Sequence, residues 1–78
     1  MNDEQIVQIL AKEDEEFKQL ADEHRLLDLQ VAGLSGKHYL STEEEIEKKR
    51  IQKLKLLKKD RMEELIIRYR KSHSHSTN

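Results

Sequence analysis

The stretch FKQLADEHRLLDLQV, residues 17–31, sets Phe17, Leu20, Leu27 and Val31 on alternating three- and four-residue steps, with a histidine, His24, filling the remaining place. Such spacing puts one stripe of a helix against a partner helix. Extended towards the N-terminus it takes in Ile6 and Leu10, with Glu13 at a gap, and towards the C-terminus it reaches Leu34. A first helix is therefore expected over about residues 3–34, with Asp3 as its N-cap. It should stop in GLSGKHY, residues 33–39, where Gly36 can take a left-handed C-terminal cap.

After a loop over residues 35–41, LSTEEEIEKKR (residues 40–50) carries the signature of a helix start. Ser41 or Thr42 can cap, Glu44 or Glu45 stands three residues on, and a run of glutamates faces the positive end of the helix dipole. The second helix is expected over about 42–70, ending on Arg68, Arg70 and Lys71, which suit the negative end. Ile51, Leu54, Met62, Leu65 and Tyr69 form its main stripe, with Lys58 near the middle of it. The pattern repeats after eleven residues and so drifts from a strict heptad. A lysine there can pack its stem while its ammonium reaches water or a carboxylate. Residues 72–78 read as a disordered polar tail.

Composition agrees with long helices: 40% charged, 35% hydrophobic, 4% aromatic, two glycines and no proline in 78 residues. The expected fold is all-α, two long antiparallel helices of roughly 45 Å each forming a coiled-coil-like hairpin across residues 1–71. Without cysteine there is no disulfide framework and no thiolate zinc site. The acidic N-terminus is unlike a signal peptide, and no apolar run approaches the ~20 residues of a membrane span. A cytoplasmic location and no membrane partner follow as expectations.

Charge is uneven: through Gly36 there are nine acidic and three basic residues, from Lys37 on twelve basic and seven acidic. The asymmetry admits a basic half that meets nucleic acid, an acidic half that meets a basic partner, or two helices that attract each other. The phosphate-binding reading falls on KKRIQKLKLLKKDR, residues 48–61, with Lys48, Lys49, Arg50, Lys53, Lys55, Lys58, Lys59 and Arg61. Against it stand the carboxylates of the first helix and the lack of an aromatic residue in that stretch to stack a base.

His24 is costly on an apolar seam unless its ring nitrogens are satisfied. Asp28, one turn on, can reach the imidazole, orient it and raise its pKa. In a hairpin turning at 35–41, His24 would face the region of Lys53 and Leu54, and Asp28 the region of Lys49 and Arg50. The His24–Asp28 pair thus reads as a device that fixes register. No serine or cysteine completes a nucleophilic arrangement beside it and a two-helix fold offers no pocket, so no enzyme activity is expected. His73 and His75 in the tail, with His38 in the loop, could meet a metal only weakly, so no metal and no cofactor is expected.

A second apolar set lies off the seam: Leu26 and Leu29 on the first helix, Ile46, Leu56, Leu57 and Ile67 on the second. Two helices bury little surface against their ordering cost. This set is expected to be a partner face, most simply of a homodimer forming a four-helix bundle, otherwise of another protein.

The spacing Phe17-x-x-Leu20-x-x-x-His24-x-x-Leu27-Asp28-x-x-Val31, followed by Lys53-x-Lys55-Leu56-x-x-Lys59-Asp60-x-Met62, resembles the YdcH-like family of small bacterial proteins over roughly residues 14–70. The resemblance implies a short helical hairpin of coiled-coil type and implies no substrate or activity. Two positions depart from the family pattern. Glu15 and Glu16 stand where an Asn-Pro pair commonly precedes the phenylalanine, so the break such a pair imposes is expected to be absent and the first helix continuous. Lys58 stands where leucine is usual.

Overall fold

The computed structural model describes residues 2–73, which form three helices: α1 (Asp3–Glu13), α2 (Glu15–Ser35) and α3 (Thr42–Ser72). The all-helical expectation holds for these residues, whereas the single first helix does not: it is divided at Asp14. Asp14 has extended dihedrals (φ −112°, ψ 112°), and its carboxylate accepts from the Phe17 N–H at 2.9 Å while its own N–H donates to the Leu10 carbonyl at 2.9 Å. One residue thus ends α1 and caps α2, without a proline.

The other four ends are set by local chemistry. Asn2, not Asp3, caps α1, exchanging bonds with Gln5 in a capping box (2.8 and 3.1 Å). Ser41 does the same with Glu44 for α3 (3.1 and 3.0 Å). Gly36 closes α2 in the right-handed region (φ −78°, ψ −7°), its N–H bonded to the Ala32 carbonyl, so the expected left-handed cap is replaced by a continuation of helical geometry. Lys37 then bonds back to the Leu34 carbonyl and its ammonium meets the Glu44 carboxylate across the loop. α3 also runs further than expected. Ser72 is helical, and His73 caps the end with its N–H on the Tyr69 carbonyl and its ring stacked on the Tyr69 ring at 3.8 Å. The rest of the expected tail, His75 included, lies outside the described residues.

α2 and α3 run antiparallel, as successive ion pairs show: Asp28 with Lys55, Glu23 with Lys58 and Glu16 with Arg61. The core lies towards α1, where Ile6, Leu10, Phe17 and Leu65 are buried together and Val7, Leu20, Met62, Ile66 and Tyr69 pack against them. Ile51 is the other buried side chain among the described residues. The bend at Asp14 lays α1 over the C-terminal part of α3, where Asp3 pairs with Arg70. The particle measures 55 × 20 × 18 Å.

Candidate functional site

The expected seam is brought together, unevenly buried. Phe17, Ile51 and Leu65 are buried, while Leu20, His24, Leu27, Val31, Leu54 and Met62 are half-buried. His24 lines an apolar groove of about 460 Å³ between the helices, alongside Phe17, Leu56, Met62, Ile66 and Val7 of α1, with Lys55 and Lys59 among its polar wall residues. The α1 share of that groove was illegible in the sequence, because a continuous first helix would have carried Val7 away from it.

The register pair is differently wired. Asp28 receives the Lys55 ammonium at 2.6 Å, and this hydrogen bond, followed by the lysine's charge, holds its carboxyl below the ordinary aspartate value. His24 adds a smaller electrostatic contribution to the same carboxylate. Asp28 thus pairs with Lys55, more than a turn further along α3 than the expected Lys49 and Arg50. Arg50 instead chelates Glu47 on its own helix at 2.9 and 2.6 Å. Register is therefore marked by lysine and arginine reaching across to carboxylates. Arg61 grips Glu16 with two bonds (2.7 and 3.1 Å) and lowers its pKa, and Lys58 at 2.9 Å does the same to Glu23, which answers how a lysine sits on the stripe.

The ion pairs bear on the phosphate-binding reading. Of its eight cations, Arg50, Lys55, Lys58 and Arg61 have carboxylate partners, while Lys48, Lys49, Lys53 and Lys59 make no ion pair with a described residue. The partner-face residues all stand exposed: Leu26 56%, Leu29 63%, Ile46 62%, Leu56 59%, Leu57 60% and Ile67 49%. They do not form one continuous patch. Leu26 and Leu29 are on the back of α2, and Leu56 and Leu57, adjacent in sequence, lie about 100° apart around α3. Tyr39, to which spacing assigns no role, is 87% exposed on the loop next to exposed His38.

Among the described residues no three histidine, cysteine or acidic side chains converge as metal ligands, and no helix is long and apolar enough to cross a membrane. No family model, curated protein or solved structure matches the chain.

Proposed function

We propose that this chain is a small interaction or scaffold module that binds a second copy of itself or a protein partner through its exposed apolar residues, without catalysing a reaction. In this reading α2 and α3 act as a coiled-coil-like hairpin that completes a four-helix bundle on dimerising, in the cytoplasm, in the manner of the YdcH-like proteins whose spacing it shares. The observation that carries it is the ratio of apolar residues outside to inside: among the described residues five hydrophobic side chains are buried while seven large ones remain exposed. Isolated exposed leucines are ordinary, but so many on so small a core favour a partner surface. Among the described residues lining the groove there is no serine, threonine or cysteine, and the ionisable ones beside His24 are Lys55, Lys59, Asp3 and Glu63, which supports binding over chemistry.

Nucleic-acid binding is the second reading, favoured by Lys48, Lys49, Lys53 and Lys59, which are left for phosphates once the other four cations are paired. Affinity capture of the full chain from its own cell extract, with and without nuclease, separates the two. A stoichiometric protein, or the chain itself, retained after nuclease at 0.5 M salt supports the interaction module. Retention of nucleic acid that falls steeply with salt overturns it.

A further inference from the structure

The outer surface of α3 is complementary to itself when reversed. Ile46 and Ile67 lie equally far on either side of the point between Leu56 and Leu57, and so do Lys53 and Asp60, and Lys49 and Glu64. All eight of these side chains are exposed. Steps of three and four residues lead from Ile46 through Lys49, Lys53, Leu56, Asp60 and Glu63 to Ile67, so one stripe of the helix carries the pattern, on the side away from buried Ile51 and Leu65, with exposed Leu56 and Glu63 at its edge also bordering the groove beside His24. Lys49, Lys53 and Asp60 make no ion pair with any described residue of their own chain, and Glu64 has only Arg61 at 3.4 Å.

We propose that α3 binds α3 of a second copy, antiparallel, about a twofold axis passing between Leu56 and Leu57. This rests on the self-binding arm of the reading above and names its surface. In that arrangement Leu56 and Leu57 meet their own copies at the centre, Lys53 meets the partner's Asp60 and Lys49 the partner's Glu63 and Glu64, and Ile46 closes on the partner's Ile67 at each end. A twofold interface requires such a surface, since each contact occurs twice. The parallel alternative is excluded by charge, because it would stack Lys49 on Lys49, Lys53 on Lys53 and Asp60 on Asp60 along the whole stripe. An unrelated acidic partner would satisfy the two lysines but would oppose Asp60, Glu63 and Glu64. The Leu26–Leu29 patch on the back of α2 stays outside the pairing.

The test uses the full chain and two charge reversals, Lys53→Glu and Asp60→Lys, followed by sedimentation equilibrium at micromolar concentration. Both positions are exposed, so circular dichroism should match the native chain in each. The native chain is expected to dimerise. Either variant alone should dissociate about tenfold more readily, because two attractive pairs become repulsive. An equimolar mixture of the two variants should recover native association, since each reversed charge then meets its opposite. As a second readout, Leu56→Cys in this cysteine-free chain should oxidise readily to a disulfide-linked dimer while Leu26→Cys does not. A dimer that is insensitive to both reversals, or one linked through position 26 but not 56, overturns the α3 pairing and leaves self-binding in place. A chain that remains monomeric overturns both the pairing and the self-binding arm, and nuclease-resistant capture of another protein would then be what upholds the interaction reading.

Discussion

The two ends of the α2–α3 pair are held by different forces. Near α1, Ile6, Leu10, Phe17 and Leu65 exclude water from one another; near the loop the buried side chain is Ile51, and the ties are Asp28–Lys55, Lys37–Glu44 and the Ser41–Glu44 capping box. The bend at Asp14 accounts for the contrast. From Phe17 back to Ile6 a straight helix would advance roughly 16 Å, whereas α3 has only about 10 Å left beyond Leu65. A continuous first helix would thus carry Ile6 past the end of its support. Folding back at Asp14 trades one turn of helical hydrogen bonding for burial of Ile6 and Leu10, and one end acquires a three-helix core while the other remains a two-helix ladder.

The largest effect expected from breaking that contrast is at Phe17. Phe17→Ala empties the fully buried centre of the α1 end and should cost ~3–5 kcal/mol, comparable to the whole stability of a chain this short, on the order of 4–12 kcal/mol. Helicity by circular dichroism at 25 °C should collapse or the urea midpoint fall by more than half. Ile51→Ala, at the ladder end, should cost visibly less. Equal losses at the two positions would mean that the core is not concentrated at α1.

Acid should attack the other end. Hydrogen bonds from Lys58, Lys55 and Lys37 hold Glu23, Asp28 and Glu44 below their ordinary carboxylate values along the ladder, and Arg61 does the same to Glu16 beside the α1 core. A carboxylate whose pKa is lowered on folding stabilises the native state above its unfolded value, and that contribution is lost as pH falls through the lowered one. Stability should therefore be level near neutrality and decline below about pH 4. All four carboxylates reach solvent, Glu16 and Asp28 exposed and Glu23 and Glu44 half-buried, so 0.5 M salt should mimic part of the loss. Amide exchange protection should drop first between residues 23 and 55, ahead of the α1 core. A uniform loss along the chain would remove the distinction between the ends.

Asp14→Ala tests the bend itself. Losing the bond to the Phe17 N–H should cost about 1 kcal/mol, read as a lower urea midpoint. Helicity should hold or rise, because alanine favours joining α1 to α2. An unchanged urea midpoint with the Phe17 environment retained would show that the cap is dispensable.

How far the sequence revealed this follows from the range of each signal. Helical class, the α3 start at Ser41 and the seam from Phe17 to Val31 rest on local spacing and capping, and these are legible because each is settled within a turn or two. The break at Asp14 was not legible: Glu13, Asp14, Glu15 and Glu16 read as helix surface, and only the end of α3 at Ser72 makes bending pay. Spacing within α2 pairs Asp28 with His24 one turn away, whereas the interhelical Lys55 holds it; which residue of α3 reaches a given carboxylate is not encoded by the spacing of either helix alone. The exposed apolar set was legible as such, because Leu26, Leu29, Ile46, Leu56, Leu57 and Ile67 fall off the seam by simple periodicity. Its division into an α2 patch and an α3 stripe became visible once the helices had boundaries and neighbours.

The two glycines give the smallest effect and a sharp check on the loop end. Gly33 lies inside α2 with nothing within 4 Å of an added Cβ. Gly33→Ala should therefore stabilise the fold by roughly 0.5–1 kcal/mol, through the unfolded chain's lost freedom and the better helix former. At Gly36 an added Cβ would meet the Ala32 and Gly33 carbonyl oxygens at 3.5 and 3.7 Å, ordinary contact, and φ is −78°. Gly36→Ala should consequently be neutral or slightly stabilising by urea titration. A left-handed cap at the same position would make alanine destabilising by about 1 kcal/mol. The sign of this one change thus decides between the cap that spacing predicts and the right-handed closure that leaves Lys37 beside Glu44. A loss of stability would mean that the ladder end turns through a left-handed glycine in solution, and the Lys37–Glu44 tie across the loop would have to be redrawn with it.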